Sequence, residues 1–509
     1  MKSSYVAGLR TGLGKSAVRG LLPVADVAGS AVLLADQLAG IAFRDVTAAL
    51  SSVPVTAWLT AIAATLVSFL AVARYDALFH GWLGTGVGSR RASVTGAASI
   101  ALAQILGYGL ITGTLARWRA LPELSFRDAL RVTNYVSFSF IAALTVISAC
   151  AAYAAGLEIG EASGFLPWIA ISIVALTILL SVLPPRALPF RLPSLRLSLR
   201  VFILTVIDTA FTAIALWVLL PAHAQPEPAL FVAAFLVALT GGFLSGAPGG
   251  VGPFELCMFA LLPMVPQAEF LAAILAFRIV YYALPACLAI CVVARPTLPE
   301  DAPSARHANP EVRRAEAGLA ALPGHRLACL GNRWLVTGST QQSLVVIGDP
   351  VCGRPAFAAE IDDLAAEAAK KSLWPVLYKV SGQTALAARQ TGWSVVAVGE
   401  EVWLNPCDWQ PDGRRYRQYR RKIRKARDAN VEVTSPADLP LDEMERVSDA
   451  WALVHGGERG FSMGHFEHDY VAGQRCYLAY CQGALVAFVT FHKTPHEWTL
   501  DLMRSADAP

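Results

Sequence analysis

Seven runs within the first 295 residues are apolar for long enough to cross a bilayer, and nothing else in this chain narrows its possible folds so far. A hydrocarbon core of about 30 Å takes about 20 helical residues. The runs are 53–73, 92–116, 132–155, 165–183, 201–220, 229–245 and 268–294; an eighth, weaker one at 254–265 is broken by Pro263 and Pro266. Backbone polar groups in lipid must be bonded internally, so each run reads as a helix.

Loop charge sets the count, because Lys and Arg collect on the cytoplasmic side. Arg117, Arg119, Arg127 and Arg131 read as one basic loop, and Arg186, Arg191, Arg196 and Arg200 as another. The loops at 156–164 and 221–228 hold acids without Lys or Arg. Eight crossings with both termini inside satisfy these four loops, while the loop with Arg74, Arg90 and Arg91 falls outside as the one mismatch. Lys2, Arg10, Lys15 and Arg19 precede no compact apolar core with a cleavage site. Residues 1–50 therefore read as a cytoplasmic, partly amphipathic lead-in.

Charge then divides the chain. Up to Glu300 there are 18 Lys and Arg and 13 Asp and Glu, which leaves 24 of the 42 and 25 of the 38 for the shorter remainder. With 55% hydrophobic residues the chain is not intrinsically disordered. Its nine cysteines show neither a disulfide framework nor a C-x-x-C pair, and free thiols in a reducing cytoplasm account for them.

Within the membrane half the run 241–255, GGFLSGAPGGVGPFE, is unusual: six glycines and two prolines interrupt it. It cannot be one regular helix, and irregular backbone at membrane depth belongs inside protein or beside a wet cavity. Glu255 stands next to it, and Asp208 and Arg278 lie inside predicted helices. Charges in membrane are functional candidates by default, so these three are expected to line a polar cavity for a lipid headgroup.

A Pro-, Ala- and charge-rich linker (296–315) leads to a half in which short β-rich runs alternate with helical ones, the pattern of an α/β domain. Strands are predicted at 343–348, 374–380, 394–398, 401–405 and 431–434, and helices at 357–371, 383–391 and 441–455. A hairpin turning at Gln482 and Gly483 and a last strand at 496–504 follow. The run Arg414 to Arg427 has nine basic residues in fourteen and no acid. On a helix Tyr416, Tyr419, Ile423 and Ala426 form one apolar stripe, leaving a basic face suited to the phosphates of RNA or of anionic lipid.

Together these motifs resemble the bacterial aminoacyl-phosphatidylglycerol synthases, the lysyl- and alanyl-phosphatidylglycerol transferases also called multiple peptide resistance factors. RYDALFHGWLG (74–84), TGTLARWR (112–119) and SGAPGGVGPFE carry the likeness in the membrane half. VVIGDP, PVLYKV, VGEEVWLNP, the basic helix, ERGFSMG (458–464) and TLDLMR (499–504) carry it in the second half.

The resemblance implies a polytopic membrane domain (51–295) followed by a cytoplasmic pair of acetyltransferase-like (tandem GNAT) units at 316–434 and 435–509. It further implies transfer of lysine or alanine from aminoacyl-tRNA to phosphatidylglycerol, with the membrane domain translocating the lipid in the bacterial inner membrane; a homo-oligomer stays open. No cofactor or metal is implied, because an aminoacyl ester is already activated and its acceptor hydroxyl needs only orientation, proton removal and charge stabilisation.

On this reading Asp501, Arg504 and Glu458 face the aminoacyl group, with Glu400 a further polar neighbour, and Arg417, Arg420, Arg421 and Arg424 meet tRNA. Asp501 and Arg504, three apart on a strand, are expected on opposite faces. The family's domain continues well past the DLMR motif, so the second unit reads as incomplete and little transfer is expected of this chain. The competing expectation is a lipid flippase or lipid-binding membrane protein with an inactive transferase domain.

Overall fold

The computed structural model describes residues 43–157, 164–183, 192–245, 248–294, 311–330, 333–458, 460–461 and 463–506. Most of the lead-in, most of the linker, the acids at 158 and 161, Arg186, Arg191 and Gly246 lie outside these residues. The chain forms two compact units, Met1–Ser304 with Lys370–Ser372, and Ala305–Ala369 with Leu373–Pro509.

The first unit is helical: α1 (Phe43–Ser52), α2 (Val55–Leu83), α3 (Ser89–Leu106), α4 (Gly109–Ala120), α5 (Phe126–Ala154), α6 (Leu166–Val182), α7 (Leu195–Trp217), α8 (Pro228–Leu244), α9 (Pro253–Leu261) and α10 (Gln267–Ala294). Among the described residues α2, α5, α7 and α10 are long and apolar enough to cross a membrane, and α6 and α8 are shorter apolar helices. These are the helices of a multi-pass membrane protein. Their starts are capped as elementary chemistry requires: Ser125 Oγ accepts from Asp128 N at 3.1 Å, Ser194 Oγ from Leu197 N at 3.1 Å, and Glu227 from Leu230 N at 2.9 Å.

Two sequence expectations change here. The run 92–116 is not one span: it breaks at Gly107 and Tyr108, both left-handed in φ (72° and 46°), so α3 ends and α4 restarts. The arginines counted as loop charge sit on helices, because the helices outrun their apolar segments. Arg117 and Arg119 belong to α4, Arg127 and Arg131 to α5, and Arg196 and Arg200 to α7.

The glycine- and proline-rich interruption is where it was expected. α8 stops at Leu244, Gly249, Gly250 and Gly252 take positive φ, and α9 begins at Pro253. Gly249 shows why: at φ +62° a Cβ there would also sit 3.0 Å from the carbonyl oxygen of Gln104. Inside α10, residues Arg278–Ala283 form a π-helical turn that no periodicity announces. The core of the unit gathers Phe231, Phe235, Met258, Phe270 and Phe277, with Phe277 stacked on Tyr281 at 5.1 Å.

The second unit holds two four-stranded sheets. In the first, β1 (His325–Leu330), β2 (Arg333–Ser339) and β3 (Ser343–Ile347) are antiparallel, and β4 (Trp374–Tyr378) pairs parallel with β3 after the crossover helix α11 (Ala358–Lys370). α12 (Gly382–Gln390) follows, capped by Ser381.

The second sheet is antiparallel, in the order β5 (Val431–Thr434), β6 (Arg475–Cys481), β7 (Ala484–Lys493), β8 (Trp498–Ser505). Val431–Thr434, placed by sequence at the end of the first acetyltransferase-like unit, is thus an edge strand of the second sheet. The basic run forms α13 (Arg417–Asp428), and α14 (Leu441–His455) and α15 (His468–Ala472) complete the unit. Val336 and Ile347 from one sheet and Leu478, Phe488 and Leu502 from the other share one core with Met444 and Val447 of α14.

The runs 394–398 and 401–405 form no strand. Neither pairs with β4, and Val396, Val398, Val402 and Leu404 are exposed. Alternation makes a strand only against an edge that accepts it.

Candidate functional site

In the membrane unit the polar side chains converge on the helix breaks. Asp76 on α2 and Arg117 on α4, both fully buried, form a two-armed ion pair: Arg117 Nε donates to Asp76 Oδ1 at 2.6 Å and Nη2 to Oδ2 at 2.8 Å. Arg117 Nη1 reaches the Gly113 carbonyl and Thr133 Oγ1, each at 3.2 Å. Sequence reasoning missed this pair by counting Arg117 as loop charge and ending the first span before Asp76. The signal was present, since both residues belong to the quoted motifs and a charge within a span is a candidate in itself.

Glu255 and Arg278, expected to line a cavity, pair with each other. Arg278 Nε donates to Glu255 Oε1 at 2.9 Å, and Nη2 also bonds that oxygen. Glu255 Oε2 accepts from Gly252 N at 2.7 Å, Arg278 Nη1 donates to the Gly249 carbonyl at 3.2 Å, and the guanidinium lies 5.1 Å from the Tyr282 ring. The pair therefore holds the irregular backbone at both ends.

Asp208 on α7 occupies a different place. Its Oδ1 accepts from Ser68 Oγ at 2.5 Å and from Tyr281 OH at 3.3 Å, and the π turn presents that tyrosine. Asp208, Tyr281 and Arg117 line a cavity of about 370 Å³, together with both breaks at Gly107–Gly109 and Gly249–Gly250. Glu255 and Arg278 stand behind that wall.

In the second unit a bulge in the β7–β8 pairing, between Val489 and Phe491, decides the geometry. Leu502 N bonds Thr490 Oγ1 at 3.0 Å; Asp501 lies within this irregularity and Arg504 beyond it, and both contact the 458–466 segment. Strict alternation had put them on opposite faces; the extra residue resets the phase.

Asp501 is buried and saturated. Oδ1 accepts from Gly464 N at 3.0 Å, and Oδ2 from Tyr470 OH at 2.8 Å and Gln474 Nε2 at 2.9 Å, with His492 Nε2 at 3.5 Å. Burial by itself would raise its carboxyl, but His492, Tyr470 and Gln474 outweigh burial and hold it below the ordinary carboxylate value. Gly464 is obligatory in this arrangement, since a Cβ there would lie 2.3 Å from Oδ2.

Arg504 lies over the Trp451 ring at 3.9 Å, with Nη2 3.3 Å from Glu458 Oε1 and a buried Nε that has no partner. Glu458 also accepts from Ser448 Oγ and Phe466 N, each at 3.1 Å, yet keeps about a quarter of its side chain exposed (24%). Ser462, for which no nucleophile's partners were expected, lies outside the described residues. Glu400 is exposed, whereas its neighbour Glu401 pairs with Arg314 at 2.9 Å.

Every residue of α13 is exposed. Arg420 Nη1 donates to the carbonyls of Pro411 (2.6 Å) and Gly413 (3.0 Å), which fastens the approach to the helix. Arg417, Arg421 and Arg424 have no partner among the described residues. Asp442, Glu445 and His468 bring ligand atoms within 4.8 Å of one another, but His468 Nε2 already meets Glu445 Oε2 at 3.1 Å and both acids are exposed. Nothing beyond that proximity points to a metal.

Residues 311–509 match the family model described as phosphatidylglycerol lysyltransferase, C-terminal. The chain is 26% identical over 259 residues to an uncharacterized protein of Synechocystis, covering 48% of this chain and 80% of that one. It is 29% identical over 189 residues to the phosphatidylglycerol lysyltransferase of Bacillus subtilis, covering 35% of this chain and 22% of the relative. The crystal structure of the C-terminal domain of a putative lysylphosphatidylglycerol synthetase from Agrobacterium fabrum aligns at 24% identity and a TM-score of 0.35, covering 39% of this chain and 66% of that one.

Proposed function

We propose, from the match of residues 311–509 to the family model described as phosphatidylglycerol lysyltransferase, C-terminal, that the chain is an aminoacyltransferase acting on phosphatidylglycerol. The observation that carries the reading is one chain holding this domain and a helical membrane unit with a largely apolar cavity into which Asp208 and Arg117 are set. The donor is an aminoacyl-tRNA bearing lysine or alanine, and the membrane unit translocates the product. The second unit then faces the cytoplasm and the membrane unit lies in the bacterial inner membrane. The paired sheets of the second unit are the tandem acetyltransferase-like halves.

The side chains divide the labour. Attack of the glycerol hydroxyl on the aminoacyl carbonyl needs a held donor and a stabilised oxyanion, and Arg504 supplies a fixed fork of N–H groups beside Trp451. Glu458, the acid with exposed surface, takes the substrate ammonium. Asp501, with both oxygens engaged, positions the segment that carries Glu458. The free guanidinium groups of α13 meet tRNA phosphates.

Lipid mass spectrometry of cells expressing the full reading frame should detect aminoacyl-phosphatidylglycerol that is lost on Glu458→Gln. Replacing Arg417, Arg421 and Arg424 together by Gln should weaken tRNA binding by about tenfold or more and flatten its salt dependence, since about three fewer counterion contacts are made. Unchanged tRNA binding with an altered preference for anionic lipid would move α13 to the membrane surface.

The saturation of Asp501 favours a second reading, a lipid-binding or lipid-translocating protein whose second unit does not transfer. An unchanged lipid profile beside a folded, lipid-loaded protein would select it.

A further inference from the structure

The stretch that carries Glu458 is pinned at its base, its far limb and its tip, and the proposed transfer gives a part to the first two alone. At the base Glu458 accepts from Ser448 Oγ and Phe466 N, and on the far limb Gly464 N is held by Asp501. At the tip the Phe461 carbonyl accepts from His325 Nε2 at 2.7 Å. Among the described residues between Glu458 and Gly464, that is the only hydrogen bond made.

The tip is strained. Phe461 has φ 79°, a left-handed conformation that a bulky side chain keeps only where its surroundings impose it. His325 opens β1, and its cross-strand partner is Gly338 of β2. A Cβ at Gly338 would stand 3.0 Å from His325 Nε2 and 3.0 Å from the Phe461 ring, so the missing side chain makes room for both. The two rings lie 5.2 Å apart. A carbonyl can only accept, so Nε2 carries the hydrogen; Nδ1 stands farther from its neighbour, 3.4 Å from the Pro323 carbonyl. A strained residue beside a half-exposed carboxylate, held there by a donor from the other sheet, points to a function for the hold.

We infer that His325 is a positioning residue for aminoacyl transfer: through the Phe461 carbonyl it sets where the Glu458 carboxylate stands, and so the grip on the substrate ammonium. The inference rests on reading Glu458 as the ammonium's acceptor, and it adds a residue of the first sheet to a site otherwise built on the second. His325 meets this stretch through backbone and ring contact, so it acts through Glu458. Its effect falls on binding: freeing the tip lets the Glu458 limb pivot, which weakens the ammonium contact in ground state and transition state alike.

The test is steady-state transfer by the full-length protein in detergent micelles containing phosphatidylglycerol, with alanyl-tRNA and lysyl-tRNA as donors, for His325→Gln and His325→Asn. Gln can place its amide nitrogen where the imidazole Nε2 stands, whereas the shorter Asn reaches only the place of Nδ1. His325→Asn should raise KM for the donor about tenfold with kcat within about threefold, the pattern of lost uniform binding. His325→Gln should stay within about threefold of the native chain in both. Hydrogen exchange of residues 458–464 reads the pin itself, and should be about tenfold faster in His325→Asn than in His325→Gln.

Equal KM in the two variants would overturn the inference, and so would a lower kcat at unchanged KM, which is the mark of lost fold alone. Equal exchange in the two variants would show that the tip is not held from His325. Each of these failures presupposes a native chain that transfers. A native chain that transfers from neither tRNA would overturn the transferase reading itself, and this role of His325 with it.

Discussion

Arg117→Met will destabilise the membrane unit by about 3–5 kcal/mol, the cost of removing one partner from a buried ion pair. The size follows from burial: Asp76 is fully buried, and both its oxygens are spent on Arg117. His80 cannot replace the guanidinium, because its Nε2 lies 3.9 Å from Asp76 Oδ1 and makes no hydrogen bond. Gly113 and Thr133 lose a donor as well. Adding Asp76→Asn to Arg117→Met removes the stranded charge and should recover about 1–3 kcal/mol, a coupling of the size found between contacting residues. Unfolding of the detergent-solubilised chain by a denaturing detergent measures both variants. A loss under about 1 kcal/mol for the single variant, or no recovery in the double, would show that the pair is not the anchor of α2 against α4.

The elements that sequence reasoning located share a local cause. α14 was read at 441–455, its full extent, because Met444, Val447 and Ser448 repeat on one buried face and Gly456 ends the helix at φ 79°. The β6–β7 hairpin was legible in Gln482–Gly483, both of which adopt positive φ, as a two-residue hairpin turn requires.

What escaped depends on partners distant in sequence. β1 and β2 mix polar and apolar residues, so no alternation in the sequence announces them. The runs 394–398 and 401–405 carry strand propensity but lie against no edge. At the sites, Asp208, Glu255 and Arg278 were visible as charges among apolar residues, yet their pairing was not, since the π turn that aims Arg278 and Tyr281 leaves no periodic trace. Asp501 and Arg504 were legible as a motif, while the bulge that brings both to one segment arises in the register of β7 on β8.

That bulge makes Asp501 the most consequential side chain of the second unit. Asp501→Ala should destabilise it by about 2–6 kcal/mol, because a buried donor left without an acceptor costs about 1–3 kcal/mol and two donors, Gly464 N and Gln474 Nε2, lose theirs, while Tyr470 OH keeps His492 Nε2 at 2.8 Å. Asp501→Asn keeps the volume but turns one acceptor into a donor facing donors, and should cost about 1–3 kcal/mol. The pH dependence fixes the mechanism. With a folded-state pKa depressed below its unfolded value, the carboxylate's contribution is complete above the ordinary value of about 3.9 and is lost as pH falls through the lower, folded value. The gap between the native chain and Asp501→Asn should therefore be constant near neutrality and close only in strong acid. Hydrogen exchange of residues 456–474 in the full chain reads it locally, since these amides report the opening of the segment that Asp501 holds. A gap that closes well above pH 4, or exchange in 456–474 that Asp501→Ala leaves unchanged, would show that Asp501 does not hold this segment and would return it to the role of a free carboxylate awaiting an ammonium.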